Sequence, residues 1–454
     1  MARPPIKPPD LGGLIDPGPP PRLADPTAFF AALVAMAEGK ALAAQGRTYL
    51  HWDDLRHREP PDGLTREGWW LALKIQRLIA RQELPLVDGS GHSFNVVMAD
   101  GVLELLQRVD STLSGRIEVG EQVTDPASRD RYVVSALMEE AIASSQLEGA
   151  STTRRVAKDM LRSGRLPRTE GERMIANNYR AMTWVQQHQR DPVSRERVLM
   201  LHRILMEGAI EPADAAGRLR RADEQVRVFD VTTGEVVHVP PPAEELDTRL
   251  DRLVNLANDA VPGRFIHPVV RAIAVHFALA YDHPFVDGNG RTARALFQWV
   301  LLRNNYWLSE FLSPSVVANR APAAYARAFQ LTETDENDLT YFVQQQLDAL
   351  DKAIQHLHKY LQRKQQELKA AERLLRDDSD LNSRQLALLS HALRHADATY
   401  TMESHGSSHR IAYATARGDL LGLVRRRFLE KRRVGKRDVF RVPADLARRL
   451  SRPS

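Results

Sequence analysis

The chain contains no cysteine, which excludes disulfides and any metal site built on thiolates. It also lacks any run of about 18 apolar residues, so no segment is expected to span a membrane and no membrane partner is expected. The first two dozen residues are rich in proline. They lack the charged start and long apolar centre of a signal peptide, so residues 1–24 are expected to form a flexible or polyproline arm. A cytoplasmic protein of bacterial type is the expectation. What is present is a chain of 454 residues with 43% apolar content. That is enough for two or three domains with sizeable cores.

Residues 283 to 294 read HPFVDGNGRTAR. Upstream, Pro268 can open a helix whose apolar face is Val270, Ile273, Ala274, Phe277 and Tyr281. Pro284 and the glycines stop that helix. Ala293, Leu296, Phe297, Val300 and Leu301 restart the period, and Asn304-Asn305 ends it. The run is therefore a loop between two helices, with the second beginning near Gly290. A glycine-rich helix start offers unpaired backbone NH groups and the positive end of the dipole, which together make an anion site. Arg291 and Arg294 lie three apart in the first turn and share a face. Cations there oppose the dipole by roughly 0.3–1 kcal/mol each, a cost that a bound anion offsets. Asp287 is a hard oxygen ligand of the kind magnesium takes beside phosphates. His283, with an ordinary pKa of about 6.5, can accept a proton from a hydroxyl at neutral pH.

This run resembles the signature of the Fic family, HxFx(D/E)GNGRxxR, at every fixed position. The resemblance implies a mainly α fold: a Fic-type helical bundle with a β-hairpin flap. It also implies transfer of AMP from ATP to a Ser, Thr or Tyr hydroxyl of a protein. By the same resemblance His283 is the general base and Asp287 holds Mg2+. The backbone of Gly288, Asn289 and Gly290 cradles phosphates, and Arg291 and Arg294 bind the outer ones. A relative that phosphorylates instead carries lysine where this chain has Gly290, so AMP transfer is expected.

The stretch RYVVSALMEEAIASSQLEG has an apolar helical face (Val134, Leu137, Met138, Ala141) and ends in a glycine fit for a helix C-cap. Ser144, Glu148 and Gly149 match the pattern (S/T)xxxE(G/N) of the family's inhibitory helix. There the glutamate pairs with the last signature arginine, here Arg294. Unit charges about 4 Å apart at an effective dielectric near 20 attract by about 4 kcal/mol before desolvation, enough to compete with a phosphate oxygen. Between the two motifs, GRLR at 217–220 precedes VRVFDVTTGEVVHVPPP. Val226 and Val228 alternate with polar residues, Thr233-Gly234 makes a turn, and Val236, Val237 and Val239 follow, which reads as a hairpin. In the family this position is the flap, which holds the target by strand addition. Val236, Val237, His238 and Val239 are the expected target-binding positions.

Residues 25–125 read as an N-terminal helical region, with Trp69 and Trp70 in a helix alongside Leu71, Leu73 and Ile75. The Fic-like segment is expected over 126–345 and a connecting helix over 346–380. That helix carries Leu347, Leu350, Ile354, Leu357, Leu361, Leu368 and Leu375 on a 3.5-residue repeat, fit for a coiled coil or for packing on the body. Residues 381–454 hold 16 Lys and Arg against 6 Asp and Glu, about +10, whereas the whole chain is +5. Helices are expected at Ser383–His395, around Tyr400–Ser404 and at Ser408–Leu423, followed by a strand-turn-strand with Gly435-Lys436 at its tip. The order resembles a winged helix-turn-helix. DNA phosphates would meet Arg410 and Arg417 on a helix and Arg432, Arg433, Lys436 and Arg437 on the wing. The alternative for this segment is a protein-interaction or dimer module, which makes a homodimer a further expectation.

The expected function is ATP-dependent protein adenylylation, with the chain itself among its targets, inhibited by Glu148. Two rivals stand beside it. One is removal of AMP with Glu148 positioning water. The other is a DNA-binding regulator with Fic as its sensing domain.

Overall fold

The computed structural model describes residues 4–9, 15–16, 22–23, 26–46, 48–115, 126–229, 234–374, 381–395, 398–434 and 437–450. It is mainly helical with small hairpins. The N-terminal region holds a minimal hairpin (β1 Ile15–Asp16, β2 Arg22–Leu23) and helices α1 Pro26–Ala37, α2 Lys40–Gln45, α3 Trp52–Leu55 and α4 Arg66–Ala80. A longer hairpin, β3 Arg81–Val87 with β4 Ser93–Val97, and helix α5 Asp100–Leu113 complete it. The central region contains α6 Pro126–Leu147, α7 Arg154–Ser163, α8 Glu170–Gln187 and α9 Arg195–Met206. A short hairpin (β5 Val228–Phe229, β6 Val236–His238) follows, then α10 Leu246–Ala257, α11 Pro268–Asp282, α12 Asn289–Arg303, α13 Pro314–Arg320 and α14 Pro322–Thr334. Helix α15, Thr340–Leu374, leads to the C-terminal unit. That unit comprises α16 Ser383–Arg394, β7 Thr399–Tyr400, α17 Met402–His409, α18 Tyr413–Arg425, β8 Glu430–Val434, β9 Arg437–Arg441 and α19 Leu446–Leu450.

Helices begin where side chains can replace the missing backbone acceptors. Thr65, Thr153, Thr169 and Ser194 cap α4, α7, α8 and α9, each accepting an NH of the first turn. Pro268 opens α11, as its fixed φ and missing NH suit that position. α11 and α12 lie antiparallel at the centre of the main core, and nearly every residue of both is buried. α8, α9, α10 and the first half of α15 pack around this pair, while α7 packs in a smaller cluster with α6 and α8. On α15, Leu347, Leu350, Ile354, Leu357 and Leu361 are buried in the same core, so this stretch of the leucine repeat packs on the body. Leu368 belongs to a stretch whose side chains are not described, and Leu375 lies outside the described residues.

Four sequence expectations need amendment. The N-terminal region is not wholly helical. β3 and β4 pair antiparallel around Asp88–Gly91, a turn signal of the Asp-Gly type, and Phe94 of β4 packs edge-on against Phe277 and Tyr281 of α11. The proline-rich arm is in part packed: Pro5 is buried and Ile6 joins the tryptophan cluster of α3 and α4. In the C-terminal unit Arg410 is not on the third helix. It caps α17 in left-handed conformation, and α18 starts only at Tyr413. The stretch at Tyr400 splits into a strand residue and a helix start, because Thr401 and Ser404 form a capping box. Lys436 lies outside the described residues, as do Gly435 and Thr233 of the expected hairpin tips.

The C-terminal unit has its own core of Leu388, Leu389, Met402, Leu420, Leu423 and Phe440. Its strands order β7-β9-β8, all antiparallel. Helix α17 packs on α6 and α7 of the central region.

Candidate active site

The motif loop is built by four local constraints. His283 ends α11 with φ 46°, a left-handed conformation that costs a residue with a side chain about 1 kcal/mol or more. Asn289 clamps the loop from inside. Its Oδ1 accepts the Phe285 NH and its Nδ2 donates to the Phe285 carbonyl, both at 2.9 Å. Its side chain is therefore consumed by the fold, and only its backbone is available to a ligand. Gly288 precedes α12 with φ 80°, and an added Cβ would sit 2.5 Å from the Met206 sulfur. Phe285 is buried and stacks on the His202 ring at 3.7 Å.

This fold fixes the state of His283. Its Nδ1 lies 3.0 Å from the Ala280 carbonyl. A carbonyl only accepts, so Nδ1 carries the proton and Nε2 keeps the lone pair. Burial pushes His283 below its ordinary pKa, and the charges of His238 and Arg220 act in the same direction. The ring is thus neutral at neutral pH, as a general base requires.

Three charged residues of the motif line up along the start of α12. The Asp287 carboxylate is 55% exposed. One oxygen accepts the Gly288 NH at 2.6 Å and the other pairs with Arg291 at 3.2 Å. The Arg291 side chain is buried, and its Nε and Nη1 have no hydrogen-bond partner among the described residues. A buried guanidinium with two unused donors is costly unless something supplies acceptors. An outer phosphate would do so. Arg294 is in the opposite condition. Its Nε donates to Ser144 Oγ at 2.9 Å, and its Nη2 donates to the Ser144 carbonyl at 2.9 Å and to Glu148 Oε1 at 2.7 Å. Burial works against charge on Glu148, but attraction to Arg294 and then to Arg291 holds its carboxyl below the ordinary value. Gly149 follows with φ 92°, just past the end of α6.

Gly290 explains how that carboxylate fits. A Cβ at this position would lie 2.2 Å from Glu148 Oε1 and 3.0 Å from Arg294 Nη1. The bare backbone of Gly290 is therefore the floor on which the Glu148–Arg294 pair rests.

Two residues that sequence reasoning missed hold the loop in place. His202, on α9, accepts the Gly217 NH on Nδ1 and so donates from Nε2 to the Asp287 carbonyl, both at 2.9 Å. Burial pushes its pKa down to about 4, which keeps that tautomer neutral. Arg220 donates from Nε to the His283 carbonyl at 3.0 Å and from its backbone to the Pro284 carbonyl at 2.9 Å. It also donates to the Pro241 carbonyl after β6. The only hint was its position in GRLR ahead of the hairpin, and no local pattern says that a histidine inside an apolar helix faces a loop 85 residues on.

The hairpin is short, pairing Val228 with His238 and Phe229 with Val236. Val236 and Val239 are exposed and Val237 is half-buried. His238 points inward, with Nε2 2.7 Å from the Tyr281 carbonyl and Nδ1 2.9 Å from Glu333. Burial lowers its pKa, but Glu333 and the Tyr281 carbonyl outweigh burial and leave it raised. His238 thus ties the hairpin to the end of α11, next to the candidate base.

In the C-terminal unit Arg417, Arg432, Arg433 and Arg437 are exposed. Arg410 instead donates to Gln186 of α8 at 2.7 Å. No helix among the described residues is long and apolar enough to cross a membrane.

Residues 192–301 match the sequence model of the Fic/DOC family. Curated relatives include proteins named "Protein adenylyltransferase Fic". The one from Drosophila grimshawi is 30% identical over 162 residues, 36% of this chain and 29% of that protein. The one from Drosophila melanogaster is 30% identical over 166 residues, 37% of this chain and 30% of that protein. The matched part thus spans under a third of each relative's length. Among solved structures, a Fic family protein from Desulfovibrio desulfuricans G20 aligns at TM-score 0.49 and 20% identity, covering 76% of this chain and 96% of that one. Fic-1 from C. elegans (residues 134–508) aligns at TM-score 0.47 and 18% identity, covering 75% and 90%.

Proposed function

We propose that this Fic/DOC family protein is a protein adenylyltransferase, restrained by its own Glu148. The observation that carries the reading is the unequal state of the two motif arginines. Arg291 holds buried, unused donors on Nε and Nη1, while Nε and Nη2 of Arg294 are taken by Ser144 and Glu148.

In this reading the triphosphate of ATP takes the start of α12, where backbone NH groups, the helix dipole and Arg291 converge. Asp287 fits Mg2+. It is an exposed carboxylate beside that anion site, and no group of three metal-capable side chains lies among the described residues. A magnesium ion held by one carboxylate draws its other ligands from phosphates and water, and would supply charge neutralisation to the leaving pyrophosphate. His283 Nε2 takes the proton of the target hydroxyl as its oxygen bonds to the α-phosphorus. The bond from that phosphorus to the bridging oxygen breaks, and pyrophosphate departs. Arg220 and His202 hold the base and the carboxylate in register by their backbone bonds. The hairpin's exposed Val236 and Val239 offer an edge for a target strand.

The test is incubation with ATP labelled at the α- or the γ-phosphate. Label should enter protein from the α position only, and none should enter with His283→Ala. Transfer from the γ position would make the protein a kinase and overturn the reading. Removal of AMP is the second reading, favoured by the nearness of the Glu148 charge to His283. Loss in Glu148→Gly of an AMP-releasing activity seen in the unaltered protein would select it. The C-terminal unit, with its basic hairpin after two packed helices, is proposed as a winged helix-turn-helix that meets DNA phosphates.

A further inference from the structure

A cavity of about 1000 Å3 lies away from the motif, between the central region and the C-terminal unit. Helices α6, α7, α13 and α15 form one side, and α16, β7 and α17 the other. Seven Lys and Arg line it against two carboxylates, Glu139 and Asp159. The neutralisation is local. Glu139 takes both Arg154 and Lys158, and Arg165 turns to Glu172. Arg162 on α7 and Lys359 on α15 have no ion-pair partner among the described residues, and Arg320 meets only the ring of His356 at 3.1 Å. Burial, then Arg320 and Lys359, push His356 below its ordinary pKa, so a neutral ring already sits among uncompensated cations.

Cations that three different helices of one wall bring to the same space repel unless an anion enters. The volume is that of a small-molecule site. Arg417, Arg432 and Arg433 do not line it, so this is not the face expected to meet DNA. The histidines on the far wall do not suggest a metal, since no cluster among the described residues suits one. Tyr360, with the Arg363 guanidinium 5.5 Å from its ring centre, and Tyr400 line the same space and add aromatic surface to it.

We infer that this cavity is a second anion site, separate from the motif, which takes a small oligophosphate held by Arg162, Lys359 and Arg320. It lies against α6, whose Glu139 faces the cavity nine residues before Glu148. A phosphate there competes with Glu139 for Arg154 and Lys158. The inference stands apart from the proposed reaction, because none of these residues touches the motif.

The test is calorimetric titration of sodium triphosphate, without magnesium and at physiological salt, into the full chain and into Arg162→Glu/Lys359→Glu. Both positions are exposed, so the variant should fold and keep its transfer activity. Saturable binding should weaken at least about tenfold in that variant, the loss of one charged contact or more. Arg432→Glu/Arg433→Glu should leave it unchanged. ADP bound more tightly than triphosphate, with the same loss, would identify a nucleotide. Triphosphate bound as tightly as ADP would identify a free oligophosphate, and either outcome upholds the site. Equal binding in the cavity variant, or no saturable binding to the unaltered chain, overturns it. So does a short DNA duplex that binds through Arg162 and Lys359 and is not displaced by triphosphate.

Discussion

Glu148 does two opposed things through one contact. It neutralises a buried arginine, which stabilises the fold, and in the proposed reaction it occupies donors that a γ-phosphate would use. Glu148→Gly should therefore lower the unfolding temperature and raise activity in the same protein. Leaving Arg294 with Ser144 alone should cost about 1–2 kcal/mol, discounted because Glu148 is 28% exposed. Self-modification should rise at least about tenfold, since each 1.4 kcal/mol of recovered positioning is tenfold in rate. It should vanish in Glu148→Gly/His283→Ala, and equal rates in the unaltered protein and Glu148→Gly would refute the latch. The pH dependence follows from the depressed pKa. A carboxyl held below its ordinary 4.5 contributes stability that is present above that value and lost as pH falls through the lower, folded value. The stability gap between unaltered protein and Glu148→Gln should thus be flat from pH 5 to 8 and close only in stronger acid. His202 makes a second test at this scale. His202→Ala leaves the buried Gly217 NH without its acceptor and frees the Asp287 backbone. It should destabilise by about 2 kcal/mol or more and slow transfer. A thermal melt and the α-label assay measure the two effects.

At the scale of elements, the hairpin and α11 are joined by one imidazole. The ring of His238 bridges Glu333 on α14 and the last turn of α11. Its raised pKa means that the tie is complete below the ordinary value of 6.5 and lost as pH rises through the folded value. The difference in melting temperature between unaltered protein and Glu333→Gln should be largest near pH 6 and shrink toward pH 9. A difference that grows with pH would show that the ring binds as a neutral group. The elements also show what could be read locally. α11, α12 and α6 follow from apolar spacing, a proline at the first turn and glycines at the ends. β3–β4 followed from an Asp-Gly turn between alternating residues but was masked by the helical pattern on both sides. Arg410 was misplaced because a capping box at Thr401 starts α17 early, so the chain must turn before α18.

Over the whole molecule, burial holds His51, His202 and His276 neutral among the described residues. His51 and His202 are pushed down to about 4 and His276 to about 3, burial being the main cause in each. Each contributes stability present above its unfolded value and lost as pH falls toward the folded one. Between pH 7 and pH 5 the loss is roughly 1–2 kcal/mol per ring. His238 and Asp282, whose pKa values are raised, oppose it. A net fall of a few kcal/mol should remain, seen as a steep drop in melting temperature below pH 6; a flat profile would contradict the burial of these rings. The C-terminal unit calls for substitution rather than removal. α17 covers α6 and α7, so deleting residues 381–454 would uncover the helix that ends just before Glu148. Arg417→Glu with Arg432→Glu should instead weaken DNA binding at low salt and flatten its salt dependence, while leaving the melting temperature near that of the unaltered chain.

The sequence by itself determined which chemical groups the motif gathers, an imidazole, a carboxylate and two guanidinium groups, and that they sit on a loop opening a helix. Those properties depend on residues within one or two turns, and short-range spacing encodes them. It also paired Glu148 with Arg294, 146 residues apart, but only through a resemblance to a family and not through any local rule. Tertiary structure decided the rest. It set the His283 tautomer through the Ala280 carbonyl and kept the ring neutral by burial, spent the Asn289 side chain on Phe285, and left Arg291 with idle donors. It also brought His202 and Arg220 under the loop and gathered α7, α13 and α15 on one wall of a basic cavity. Burial and hydrogen-bond partners set each of these states. They arise from packing between distant segments, which no pattern along the chain records.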